Sequence, residues 1–118
     1  MGDFCSKEKP ENPDAFKSYL KEDHVTVFSK SYCPSCSSAK TLLKQKLKVA
    51  ALNWYEVDHG TISKEDESSL KYTTNQRTFP NVFIGTKHIG GNDDLQTIYR
   101  NGELQAMLDK LNISYHKN

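Results

Sequence analysis

Two cysteines with two residues between them, Cys33 and Cys36, are the best-placed reactive groups in this chain. They sit in the stretch Lys30-Ser31-Tyr32-Cys33-Pro34-Ser35-Cys36. The apolar run Val25-Thr26-Val27-Phe28 leads into it, and a helical pattern from Ser37 to Leu47 leads out. The pair therefore falls where a strand turns into a helix. Unpaired backbone N–H groups and the positive end of the helix dipole meet at such a point. A thiolate is stabilised there, and the thiolate is the reactive form of cysteine. Pro34 suits the first helical position because its missing N–H would have had no partner anyway. Lys30 adds a positive charge close by.

The two sulfurs differ in exposure. Cys33 precedes the helix and can face solvent. Cys36 shares a stripe with Ala39, Leu43 and Leu47, at steps of three and four, and points to the core. An open thiol and a shielded one make an attacking and a resolving cysteine. Metal ligation is the other use of a C-x-x-C pair, and a closed zinc site takes four ligands. The one further cysteine is Cys5, and His24, His59, His88 and His116 are scattered, with no H-x-x-x-H. No metal is expected, and thiol–disulfide exchange is the chemistry that the spacing favours.

A chain of 118 residues with 36% hydrophobic and 26% charged residues reads as one globular domain, residues 12–118, behind a flexible polar leader, residues 1–11. The net charge of +1 supplies no global field for nucleic acid or an acidic membrane, so neither is expected as a partner. No run approaches the roughly 18 apolar residues of a membrane span. No apolar signal segment opens the chain. Three cysteines, an odd number, argue for a reducing compartment, and the cytoplasm is expected. Met1-Gly2-Asp3-Phe4-Cys5-Ser6 fits a loose myristoylation template, but Asp3 suits it poorly; Cys5 is read as a spare exposed thiol.

The elements that must position the dithiol follow in order. Asn12-Pro13-Asp14 opens a short helix to about Glu22, with Phe16, Tyr19 and Leu20 as its apolar stripe. Val25 to Ser29 is a buried strand. The C-x-x-C helix follows, then a strand from Leu52 to Val57 that ends at Asp58-His59-Gly60. Ser63 to Tyr72 is a short exposed helix with acids in its first turn. Asn81 to Ile84 is a strand, Gly85-Thr86-Lys87 a hairpin turn and His88-Ile89 a second strand. Asn92 caps a helix that Gly102 ends, and a last helix runs from about Glu103 to Leu111. An early β-α-β and a later β-β predict a three-layer α/β/α fold around a four-stranded mixed sheet.

Three stretches now carry a resemblance. Phe28-Ser29-Lys30-Ser31-Tyr32-Cys33-Pro34-Ser35-Cys36, Gln76-Arg77-Thr78-Phe79-Pro80-Asn81-Val82-Phe83-Ile84 and His88-Ile89-Gly90-Gly91-Asn92-Asp93-Asp94-Leu95 resemble a dithiol glutaredoxin of the thioredoxin fold. The C-x-x-C alone leaves thioredoxin and disulfide isomerase open; the three motifs in this order do not. The resemblance implies a glutathione-dependent thiol–disulfide oxidoreductase acting on glutathionylated and disulfide-containing proteins, working as a monomer with glutathione as reductant. It implies that Cys33 is the nucleophile and Cys36 the resolving cysteine. Lys30 and Gln76 would contact the glycine carboxylate of glutathione. Phe79 would pair its backbone with the cysteine of glutathione, Pro80 would be cis, Asn92 and Asp93 would hold the γ-glutamyl end, and Tyr32 would line the site. Ser35 stands where a tyrosine is common in the family, and Phe79 where valine is usual. The alternative within the family is a [2Fe–2S] cluster carrier; Pro34 argues against it and the small Ser35 mildly for it.

Overall fold

In the computed structural model, which describes residues 9–117, the chain is built around β1 (Val25–Ser29), every residue of which is buried. β1 pairs in parallel with β2 (Leu52–Glu56) on one side and antiparallel with β3 (Asn81–Ile84) on the other. β4 (Lys87–Gly90) adds to β3, antiparallel, with a bulge between Val82 and Phe83. The sheet order is β2-β1-β3-β4, the expected four-stranded mixed sheet. Only β1 and β2 run parallel, so only they need a crossover, and the C-x-x-C helix is that crossover.

The period-two alternation of the strands builds two cores. Val25 and Val27 of β1, with Val82 and Ile84 of β3, face one layer of helices. That layer holds α1 (Pro34–Lys40), α3 (Asn92–Arg100) and α4 (Glu103–Lys110), which contribute Ala39, Leu95, Leu104 and Leu108. Phe28 and Phe83 face the other layer, where Phe16 and Leu70 cover them. Leu70 lies on α2 (Lys64–Thr74). Each such buried side chain contributes about 1.5–3 kcal/mol relative to exposure. Phe28 is wrapped by three rings, Tyr55 at 5.6 Å, Phe83 at 6.0 Å and Tyr19 at 6.1 Å between centroids.

Several element bounds differ from the sequence reading: α2 runs on to Thr74, and β4 takes in Lys87 and Gly90. The first expected helix is a single 3-10 turn, Ala15–Tyr19. Its Phe16 amide donates to Ser69 Oγ at 2.9 Å, so a tertiary bond anchors it to α2 where a further helical turn would stand alone. The Tyr19 hydroxyl donates to the Asp66 carboxylate at 2.6 Å, which pushes the phenol up to about 12. The C-x-x-C helix is α-helical only to Lys40 and continues as a π-helical turn, Thr41–Lys46, closed by Leu47 N–H donating to Leu42 C=O at 2.8 Å. The wider turn leaves Leu42, Leu43 and Leu47 all buried. Val57 leaves β2 and enters a 3-10 turn, Val57–His59, ended by Gly60 at φ +74°. Asn92 does not cap α3: Gly91 is the N-cap, and its N–H donates to the Asp94 carboxylate at 3.1 Å. The lipidation template, Cys5 and most of the expected leader lie outside the described residues.

Truncating Phe28 to alanine removes the ring that joins three aromatic neighbours, and we expect a loss of about 3–5 kcal/mol in urea unfolding. A loss below about 1 kcal/mol would mean that this core is not packed as described.

Candidate active site

β1 ends at Ser29, and four residues later Cys33 caps α1 with extended backbone, φ −116° and ψ 107°. Pro34 takes the first helical position. The Cys36 N–H donates to Cys33 Sγ at 3.2 Å, so an otherwise unpaired amide of the first turn meets the sulfur. The thiol of Cys33 can also donate to the Phe79 carbonyl, 3.6 Å away. Cys33 is partly exposed, whereas Cys36 is 3% exposed. Burial, and then the neighbouring Cys33, push the Cys36 thiol above the ordinary cysteine value. Both cysteines are free thiols. The asymmetry expected from the helical stripe is present.

The Phe79 carbonyl belongs to a loop whose Phe79–Pro80 peptide is cis. Two ammonium groups stand over the half-buried Phe79 ring, Lys30 Nζ at 5.2 Å and Lys71 Nζ at 5.7 Å from its centroid. Lys71 is also paired with Glu67 at 3.0 Å. Gln76 braces the loop from behind: its amide nitrogen donates to both Thr78 C=O and Pro80 C=O at 3.0 Å. Those two acceptors fix the orientation of the amide, and its oxygen then faces His88 Nε2 at 3.2 Å. His88 Nε2 donates as well to Asn81 Oδ1 at 2.8 Å. Asn81 is 1% exposed, and its Nδ2 donates to Thr74 Oγ1 at 3.2 Å. The direct carboxylate contact expected of Gln76 therefore competes with two bonds that its amide already makes within the chain.

The start of α3 borders the same loop. A Cβ built on Gly91 would lie 3.7 Å from the Pro80 carbonyl oxygen and 3.9 Å from Gln76 Nε2. Asn92 Oδ1 accepts from Gln96 Nε2 at 3.1 Å, while Asp93 is exposed and makes no ion pair among the described residues. Tyr32 is fully exposed, at 102% relative accessibility and φ +55°, with its ring beside Cys33 and Lys30 on the rim of a shallow depression. Direct contacts thus link Cys36 to Cys33, Cys33 to the Phe79 carbonyl, Lys30 to the Phe79 ring and Gln76 to the Pro80 carbonyl, and Asn92 and Asp93 follow Gly91, which borders the same loop.

Three groups were not singled out from the sequence. Asp58 clamps the loop before Cys33: the Ser31 N–H reaches both its oxygens at 3.2 Å, and the Ser31 hydroxyl donates to Oδ2. Those bonds, the hydroxyl first, hold the Asp58 carboxyl below the usual carboxylate value. His59 lies 3.2 Å from Ser31 Oγ through Nε2 and 3.1 Å from Glu56 through Nδ1. His88 was read as a strand residue only. Their contacts to Ser31 and to Asn81 span 7 to 28 residues, so no local motif marks those contacts.

A family model described as Glutaredoxin matches residues 25–89. Glutaredoxin-1 of Saccharomyces cerevisiae is 38% identical over 100 residues, covering 80% of this chain and 88% of the yeast protein. The crystal structure of wheat glutaredoxin superposes with a TM-score of 0.73 at 41% identity, over 86% of this chain and 93% of that one. A buckwheat glutaredoxin–glutathione complex superposes with a TM-score of 0.69 at 35% identity, over 85% of this chain and 92% of that one.

The buried brace generates a pH prediction. Burial holds His88 below the ordinary histidine value, with Asp94 acting weakly the other way. The unfolded chain therefore takes up a proton more readily, below about pH 6.5. The stability that neutral His88 contributes is complete above that value and is lost as pH falls through it. Melting temperature should drop from pH 7 to pH 5, and His88→Gln, which keeps a donor but cannot titrate, should drop less. Parallel curves for the two proteins would count against this role.

Proposed function

Since the chain belongs to the glutaredoxin family and is a glutathione-dependent thiol oxidoreductase, we propose that it reduces protein–glutathione mixed disulfides and protein disulfides through Cys33 and Cys36. The observation that carries this reading is the contrast between two sulfurs at one helix start. Cys33 is reachable and accepts the Cys36 amide proton at 3.2 Å; Cys36 is 3% exposed.

With a glutathionylated protein, the Cys33 thiolate attacks the glutathione sulfur. The S–S bond to the protein breaks, and the protein thiolate leaves with the electron pair. A second glutathione attacks the Cys33–glutathione disulfide, regenerates the Cys33 thiolate and departs as glutathione disulfide. With a protein disulfide, Cys33 attacks one sulfur and Cys36 resolves the resulting mixed disulfide. The Cys33 thiolate serves both steps, as the attacking group and then as the leaving group.

Glutathione carries two carboxylates and one ammonium. Its cysteine would pair with the backbone of Phe79, beside Pro80. Its glycine carboxylate would lie near the Phe79 ring, within reach of Lys30. The N–H groups at the start of α3, at Asn92 and Asp93, suit the γ-glutamyl carboxylate, and the Asp93 side chain suits the ammonium. Tyr32 would border the groove. Gln76 would contribute through the loop it braces. Protein substrates, a monomeric state and a cytoplasmic location, where glutathione is kept reduced, belong to the same proposal.

Cys33→Ser should abolish transfer from every disulfide substrate, whereas Cys36→Ser should keep glutathione-dependent deglutathionylation and lose reduction of protein disulfides. Assaying both variants on a glutathionylated protein decides it; activity remaining in Cys33→Ser would sink the assignment. Lys30→Ala and Asp93→Ala should each raise the glutathione concentration for half-maximal rate by up to about fivefold, since exposed ion pairs contribute about 0.2–1 kcal/mol. Unchanged glutathione dependence in both would move the ligand elsewhere.

A further inference from the structure

Cys36 has to lose a proton before it can resolve a mixed disulfide, and burial opposes that loss more than Ser29 and the Lys30 backbone favour it. It is 3% exposed, and burial raises the pKa of its thiol. The helix start that serves Cys33 donates the Cys36 N–H to the other sulfur. A group that receives the Cys36 proton is therefore required by the dithiol half of the proposed function, on which this inference rests.

The register of the parallel pair supplies one. Ser29 is opposite Glu56, and Val27 is opposite Trp54. Partners in a parallel register project to the same side of the sheet, so Glu56 and Trp54 rise on the α1 side next to Ser29. Ser29 is 1% exposed, its hydroxyl donates to the Lys30 carbonyl at 3.4 Å, and its side chain acts to lower the Cys36 pKa against the larger effect of burial. A depression of about 180 Å³ lies there, lined by Cys33, Cys36, Ser37, Lys40, Trp54 and Glu56 among others. That is room for several waters. Glu56 is the one carboxylate among the residues lining it. The Glu56 carboxylate lies 3.1 Å from His59 Nδ1, and the His59 side chain is 56% exposed, so a proton that arrives has a way on to solvent.

We infer that Glu56 accepts the proton of Cys36, by way of water in this depression, when the Cys33 mixed disulfide is resolved. The Cys36 S–H bond breaks and its proton passes to the Glu56 carboxylate. The Cys36 sulfur attacks the Cys33 sulfur, the Cys33–Cys36 bond forms and the Cys33–substrate bond breaks. The electron pair leaves on the substrate sulfur, which is reduced to a thiolate and is reprotonated from solvent; Glu56 returns its proton through His59. The two cysteines together are oxidised by two electrons. The charged neighbours of Glu56 are His59 from the turn after β2, Asp58 beside it, and Lys30 and Lys40 across the depression. Lys40 stands over the Trp54 ring at 5.3 Å.

The test uses the full chain and two rates at pH 7, protein-disulfide reduction and deglutathionylation. Only the first needs Cys36, so the ratio of the two isolates resolution. In Glu56→Gln the ratio should fall on the order of a hundredfold, the low end of what a positioned acid–base group contributes. Glu56→Asp should restore part of it, because water can span the shorter side chain. The deficit in Glu56→Gln should shrink as pH rises and the thiol ionises unaided. A merely structural carboxylate would lower both rates together at every pH. An unchanged ratio, or a deficit that persists at alkaline pH in a variant with normal melting, overturns the inference. Should Cys36→Ser reduce protein disulfides as fast as the natural chain, the dithiol reading itself fails, and this inference with it.

Discussion

The hydrogen bond from the Cys36 amide to the Cys33 sulfur can form only if the first turn of α1 is held at one height against the sheet. That height is set by β1, whose five residues are buried with neighbours on both sides. A strand paired along both edges cannot slip by one residue without turning both of its faces over. Val25 and Val27 would then exchange cores with Thr26 and Phe28. The position of the sulfur is thus fixed by side chains up to eight positions earlier in the chain, none of which touches a substrate. The loops on either side of Cys33 are tied to the same strand. Phe79 and Pro80 lead into β3, which pairs with β1, and Asp58 follows β2, which pairs with it on the far side.

Charge along the chain is sorted in a way that supports this corner. Residues 24–55 carry Lys30, Lys40, Lys44, Lys46 and Lys48 and no aspartate or glutamate. The carboxylates resume at Glu56 and Asp58, which the sheet brings back beside the same loop. The site is therefore a boundary between a basic helix and an acidic turn, and not a uniformly positive cleft. Lys30 and Lys71 converge on Phe79 from separate elements, one of them restrained by Glu67. The bulk of Phe79, an oddity in the sequence, gives both ammonium groups a surface to rest on.

What was legible in the sequence is what short-range chemistry writes there. Pro34 before a helical stripe marked the corner, the C-x-x-C spacing marked the dithiol, and Cys36 in register with Ala39 and Leu43 marked which sulfur is shielded. The sheet followed from alternation and turn residues. What stayed hidden depends on partners far along the chain. The helix expected after Asn12 shortened to one turn because Ser69, 53 residues on, takes the Phe16 amide. The π-helical turn after Lys40 has no local breaker to announce it, and periodicity alone favours an unbroken α-helix. Gln76 looks like a free amide until Thr78 and Pro80 fold back on it. Glu56 looks like the end of a strand until the parallel register sets it beside Ser29.

The bulge between Val82 and Phe83 bears on how the molecule meets its own copies. β4 is the outer edge of the sheet on that side, only four residues long, opening on an exposed lysine and closing at Gly90, after which the chain turns away into α3. An added strand would find few unpaired backbone groups in line, and a bulged, strongly twisted partner behind them. Sheet extension between molecules, the common route by which open-edged α/β domains aggregate, is closed off at this edge by geometry and by one ammonium group.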